Sequence, residues 1–233
     1  AAVLAVAVGI GALLPAGGEV HRTGLGEQRS FALQDGTQVV LDTDSELQVR
    51  FDRRRRHVVL QRGRAQFEVG QDPLRPFMVQ AGSSEIRDIG TTFQVTRRGD
   101  LVEVGLVEGI VEVSVPGGPQ GVVQVVLAPG ERVAVGADGA LQPVTALDAE
   151  FAAAWPRGEL VFRDRRLDQL LEEMNRYGEV RLRLADPALG AMRVSGVFRI
   201  DGQRALVAAL ERGWALRTER RGDEILLHPP VAD

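Results

Sequence analysis

From Val20 to about Val144 the apolar residues recur with a period of two, in short runs bounded by turn residues, and no helix of useful length fits between them. The runs are Ser30 to Leu33, Val39 to Leu41, Leu47 to Phe51, Val58 to Leu60, Ala65 to Val69 and Phe77 to Ala81. They continue as Ile86 to Val95, Leu101 to Leu106, Ile110 to Val115, Val122 to Leu127 and Arg132 to Val135. Asp35-Gly36, Arg62-Gly63, Arg98-Gly99-Asp100, Pro116-Gly117-Gly118, Pro129-Gly130 and Ala137-Asp138-Gly139 punctuate them, the residues that tight turns require. So many short strands predict an all-β sandwich, barrel or stacked-sheet domain over residues 19–145.

The period changes near Ala146. The segment ALDAEFAAAW reads as a short helical linker within residues 146–157, after which strand and helix patterns alternate through residues 158–233. Leu160 to Phe162 predicts a strand. Leu167, Leu170, Leu171, Met174 and Tyr177 lie on one stripe of an amphipathic helix over residues 165–177, with Asp164 as N-cap and Gly178 past its end. Val180 to Leu184 follows as a strand. Val194 to Ile200 is the next strand, Asp201 a second N-cap, Ala205 to Leu210 a helix, Gly213 its stop, and Trp214 to Thr218 and Ile225 to Leu227 the last strands. Val161-Phe162-Arg163 recurs as Val197-Phe198-Arg199, so the pattern predicts a small duplicated βαβ domain with two helices on a mixed sheet. The expected class is mainly β plus α+β.

Residues 1–18, AAVLAVAVGIGALLPAGG, carry no charge. As a helix they would span roughly 27 Å, just short of the hydrocarbon core of a bilayer. The segment reads as the distal end of a transmembrane helix, with a buried helix or a trimmed signal sequence as the other two readings.

The remaining composition narrows the function classes. A net charge of −4 supplies no basic surface for nucleic acid. All 28 basic residues are Arg, and cysteine is absent, which excludes disulfides, thiolate metal sites and Cys nucleophiles. His21, His57 and His228 lie too far apart in sequence for a zinc helix, so no metal is expected. Gly24-Leu25-Gly26 and Pro116-Gly117-Gly118 lack the strand-before, helix-after setting of a phosphate loop. Ser83, Ser84 and Ser195 sit in no nucleophile elbow, and Glu172 and Glu173 point two ways around a helix. These readings predict a protein without cofactor or enzymatic activity. The run Arg53-Arg54-Arg55-Arg56-His57 reads as the solvated tip of a hairpin, with a phosphate, lipid headgroup or acidic partner as its functional alternative.

Several segments together resemble the FecR family of bacterial transmembrane anti-sigma regulators. They are GEQRSFALQDGTQVVLDTDSELQVRF (26 to 51), VVLQRGRAQFEV (58 to 69), RPFMVQA (75 to 81), IGTTFQV (89 to 95), VEVGLVEGIVEV (102 to 113) and LAPGERV (127 to 133). Trp155, Gly158, Leu160, Phe162, Leu167 and Asn175-Arg176-Tyr177 resemble the start of that family's C-terminal part, itself similar to the short N-terminal domain of secretins and TonB-dependent receptors. The resemblance implies the periplasmic sensor part of a single-pass inner-membrane protein. Such a protein binds the N-terminal signalling domain of an outer-membrane TonB-dependent transducer and relays the signal, through regulated proteolysis by site-specific proteases, to a cytoplasmic extracytoplasmic-function sigma factor, typically for iron or siderophore uptake. Sigma-factor contact belongs to a cytoplasmic domain that these residues do not include. A second reading is an envelope structural, glycan-binding or secretin-associated module without sigma-factor control.

The resemblance also implies a partner site on the leucine-bearing stretch: Leu160, Phe162, Leu167, Leu170, Leu171, Arg176 and Tyr177. Periodicity offers the other reading for the leucines, that they are the core of their own helix.

Overall fold

The computed structural model describes residues 18–88, 90–116 and 121–230. The apolar segment expected to be a membrane-helix remnant therefore lies, apart from Gly18, outside the described residues. Among the described residues no helix is long and apolar enough to cross a membrane.

Thirteen strands make the first half. They are β1 (Glu19–Arg22), β2 (Arg29–Ala32), β3 (Gln38–Leu41), β4 (Glu46–Phe51), β5 (Arg56–Glu68), β6 (Phe77–Ala81) and β7 (Ser84–Asp88), followed by β8 (Thr92–Arg98), β9 (Leu101–Glu108), β10 (Val111–Pro116), β11 (Val122–Leu127), β12 (Glu131–Val135) and β13 (Thr145–Ala146). They form one curled sheet whose two wings share β5. Wing A runs β1-β4-β5-β6-β7-β10-β11, and wing B runs β2-β3-β5-β8-β9-β12-β13. Only β5 and β6 pair in parallel; every other neighbouring pair of this sheet is antiparallel.

The bend in β5 lets one strand serve two sheets. Residues 56–62 pair with β4 and 63–68 with β3 and β8. Gly63 takes a φ of +88°, and a Cβ there would lie 2.0 Å from Ser45 Oγ, so only glycine turns the chain at this point. Ser45 Oγ accepts the Arg64 N–H at 3.0 Å and donates to the Thr43 carbonyl at 2.9 Å, satisfying backbone that the bend removes from the ladder. The expected turn at Arg62-Gly63 is thus a kink inside one strand. Conversely, the expected run Ile86 to Val95 is two strands, because the Asp88 carboxylate turns the chain by accepting the Gly90 N–H and the Thr91 hydroxyl. That turn carries the chain from wing A to wing B.

The wings close on a shared core. The Phe67 ring lies 5.3 Å from Phe93 on its own wing and 5.6 Å from Phe77 on the other, and Leu41, Leu47, Leu60, Ile86 and Leu106 are fully buried around them. Arg56 corrects the solvated-tip expectation. Arg53, Arg54 and Arg55 are exposed, but Arg56 is 2% exposed, ion-paired with buried Asp35 at 2.8 Å and donating to the Gly70 and Arg75 carbonyls. It pins the return of the chain from β5 to its parallel neighbour β6.

The second half comprises α1 (Ala149–Ala154), β14 (Glu159–Arg166), α2 (Leu167–Met174), β15 (Arg181–Leu184), β16 (Arg193–Arg199), α3 (Gln203–Trp214), β17 (Arg217–Arg221) and β18 (Glu224–His228). Helix α1, capped by Asp148, is the helical segment expected before Trp155. The mixed sheet is present as β15-β18-β17, while β14 and β16 form a separate antiparallel pair. The repeated tripeptides meet there directly, with Val161 opposite Val197 and Leu160 opposite Phe198.

Both expected N-caps are corrected. Asp164 lies in a bulge of β14 at φ +45°, because β14 stays paired with β16 as far as Arg166; helix α2 starts after Arg166 with no side-chain cap. Asp201 pairs with Arg199, and Gly202 occupies the cap of α3. Gly213 does not stop α3, which extends the stripe Leu206, Leu210 to Trp214 and ends at Ala215 in a left-handed conformation.

Replacing Gly63 by Ala should therefore destabilise the protein by about 3 kcal/mol, from the left-handed φ and the overlap with Ser45 together. Urea unfolding of the variant measures this; an unchanged midpoint would show that the bend tolerates a side chain.

Candidate functional site

The seven residues of the expected partner site are mostly interior. Leu160, Phe162, Leu167, Leu170, Leu171 and Tyr177 are all buried in the second core, together with Trp155, Met174 and Leu206. Arg176 is largely covered. Helix α2 places the leucines on the stripe facing β14, β15 and β16, so their packing is that of a helix core.

What α2 does present outward, toward the first half, is a cluster of buried charge. Arg64, the residue after the β5 kink, is 4% exposed. Its guanidinium donates through Nε to Asp42 Oδ2 at 2.8 Å, and its Nη2 lies 2.9 Å from Glu173 Oε1 and 2.6 Å from the Tyr177 hydroxyl. Tyr177 in turn donates to Asp42 Oδ2 at 3.1 Å. Arg176 spans the same two carboxylates, 3.0 Å from Asp42 and 2.9 Å from Glu173. Arg98 on β8 donates to Glu173 Oε2 at 2.9 Å and to Glu172 at 3.3 Å. Three guanidiniums from both halves thus meet three carboxylates from both halves.

Aromatic faces complete the enclosure. The Arg64 guanidinium lies 4.4 Å from the Trp155 ring centroid and 5.1 Å from that of Phe151, where cation–π attraction replaces lost hydration. Neutral hydrogen bonds flank the ions. Gln28 donates to the Trp155 carbonyl at 2.8 Å, Gln94 to that of Ala152 at 2.7 Å, and the Thr43 hydroxyl to that of Arg176 at 3.0 Å. Gly26 permits the closest backbone approach, since a Cβ there would be 2.8 Å from the Tyr177 carbonyl oxygen. Beside this joint lies a cleft of about 390 Å³ whose walls include Gln94, Arg98, Phe151, Phe162 and Glu172.

The electrostatics are those of mutual compensation. Burial works against the charged form of Glu173, but Arg64, Arg176 and Arg98 overcome it and hold the carboxyl at about 2. Burial likewise opposes the Arg64 charge, and Glu173, Asp42 and Tyr177 more than restore it, so its pKa stands above the ordinary value. Burial raises the Tyr177 hydroxyl, with Asp42 and Glu173 adding to the rise against the opposing pull of Arg64 and Arg176, so it remains a donor. Chemically the cluster is a structural joint: its charged groups are paired with one another, while Asp42 Oδ1 and the Trp155 indole N–H are buried without a hydrogen-bond partner.

Arg176 and Tyr177, both part of the partner site that the resemblance implies, lie in this joint. Asp42, Arg64, Arg98, Gln28 and Gln94 carried no signal, because a polar residue in a loop or on an alternating strand reads as solvent-facing. Among the described residues there is no group of three or more His, Asp or Glu side chains placed to hold a metal ion.

Residues 19–112 match the family described as FecR protein. Two crystal structures of a protein from Parabacteroides distasonis described as a "putative anti-sigma factor" share the fold. One superposes with a TM-score of 0.73 at 23% identity, covering 91% of this chain and 99% of that one. The other gives 0.71 at 24% identity, covering 91% and 98%. No curated protein matches the sequence.

Arg64→Met should cost about 3 kcal/mol in urea unfolding, because it removes the more deeply buried of the two cations that Asp42 and Glu173 share and leaves Arg176 alone to bridge them. Glu173 makes a pH-dependent contribution. Its folded pKa, about 2, lies below the ordinary 4.5, so its stabilisation is full above about pH 4.5 and is lost as pH falls toward 2. The stability advantage of the wild type over Glu173→Gln should shrink over that window, and an advantage that grows on acidification would contradict the assignment.

Proposed function

We propose that this chain, which belongs to the FecR family through residues 19–112, is the sensing region of a membrane-anchored anti-sigma regulator. The observation that carries the reading is that the fold shared with the P. distasonis protein spans both halves and nearly all of that protein's chain. On this reading the region lies in the periplasm, receives the N-terminal signalling domain of a TonB-dependent outer-membrane transducer, and passes the signal through regulated proteolysis to an extracytoplasmic-function sigma factor. Iron or siderophore uptake is the regulated process.

The buried placement of the leucine stretch redirects the partner site to main-chain edges of the same half. Strand β16 has β14 on one side and no other neighbour among the described strands, and its Val197 is 62% exposed. An exposed strand edge accepts a partner strand through backbone hydrogen bonds, and a protruding side chain adds selectivity. Leu160, Phe162, Leu167, Leu170, Leu171, Arg176 and Tyr177 then support binding by holding β14, β16 and α2 in place. The ionic joint makes the two halves move together, so that a load on β16 reaches the first half.

Calorimetric titration of the chain with the transducer's signalling domain should give one-to-one binding, weakened at least tenfold by Val197→Asp with the fold intact by circular dichroism. Absence of heat at about 100 μM of folded protein would leave the family fold without this partner and favour an envelope-binding module.

A further inference from the structure

We propose that β11 is a self-association edge, through which two copies of the chain pair antiparallel and continue wing A from one copy into the other. The proposal does not depend on the reading of function above. Among the described residues β11 ends wing A with β10 as its one strand neighbour, so its other side offers backbone donors and acceptors that no described strand pairs. Its sequence, VVQVVL over Val122–Leu127, holds no charge. Proteins ordinarily protect sheet edges with charged residues or by keeping them short. Most other edges described here follow that practice: β1 carries Glu19 and Arg22, β2 carries Arg29, β13 has two residues, and β14, β15 and β17 carry arginines, while β16 keeps its arginines at its two ends. Strand β11 does not. Val122 is 68% exposed and Val126 56%, on a strand built of residues that favour extended pairing.

A second copy is the occupant that this strand fits. A two-fold axis sets a strand antiparallel to its own sequence, and Val122–Val126 reads VVQVV in both directions, so every side chain in that stretch meets its own kind and no charge is buried. With the axis at Gln124, Val122 faces the partner's Val126 and Val123 faces the partner's Val125. Gln124 then faces the partner's Gln124, whose amide offers both a donor and an acceptor in return. The exposed valines cover one another without any side chain changing face. The five residues of each strand that pair, Val122 to Val126, bury less than the about 1,000 Å² expected of a stable interface, so the dimer should be weak and concentration-dependent, with a dissociation constant of about 10 μM or higher.

Sedimentation equilibrium of the chain from about 5 to 500 μM tests this. The wild type should rise from monomer toward dimer, and Val122→Lys/Val126→Lys, both exposed positions, should stay monomeric while folded by circular dichroism. A wild type that stays monomeric at every concentration, or a lysine variant that dimerises as the wild type does, overturns the proposal. The cysteine-free sequence supplies a second readout of register. Under mild oxidation Gln124→Cys should form a disulfide dimer at least tenfold faster than Val197→Cys on β16, because cross-strand partners on the axis lie within disulfide reach. Equal rates would place the contact elsewhere and overturn the assigned edge.

Discussion

The guanidinium of Arg64 is taken almost wholly out of water at the junction of the two halves, and an isolated charge so placed would be too costly to keep. Everything around it answers that cost. Asp42, from the turn between β3 and β4, and Glu173, from α2, supply the countercharge; Tyr177 supplies an oxygen; Trp155 and Phe151 supply ring faces. Since these groups come from segments far apart in the chain, satisfying one cation fixes the position of α2 and the Trp155 turn against the kinked strand. A buried ionic cluster of this kind contributes less to net stability than to the choice of one arrangement, because misaligned alternatives leave its charges unpaired.

The same kink joins local and global structure. Gly63 turns β5, Ser45 repairs the ladder at the turn, and the residue that follows is Arg64. The geometry that lets β5 belong to both wings therefore also aims the cation at the second half. The two hydrophobic cores are separate clusters, and the ionic contacts bind one to the other.

Much of the first half was legible from alternation alone. The runs Phe77 to Ala81 and Val122 to Leu127 match strand boundaries residue for residue, because each is a period-two segment closed by turn chemistry. Where the reading slipped, a side chain had overridden the local pattern. Asp88 cut one apolar run into two strands, Ser45 allowed a strand to pass through a glycine expected to end it, and cross-strand pairing kept Asp164 extended where its type favours a cap. The leucines of α2 were placed on one face by spacing, and burial shows that face to be interior.

Local pattern by itself determined the class, the strand-rich first half, the alternating second half and the direct repeat whose copies pair in β14 and β16. These follow from periodicity and turn residues, which act over a few positions and need no partner. Only the tertiary structure decided which charges are structural. Arg56 and Arg64 look in sequence like any of the other arginines, and their roles come from Asp35 in one case and from Asp42 and Glu173 in the other, through contacts that sequence spacing does not encode. It also decided that β11 is an edge. An uncharged strand is unremarkable in the middle of a sheet and becomes a binding surface only when no neighbour covers it, and sheet order is a property of the whole fold.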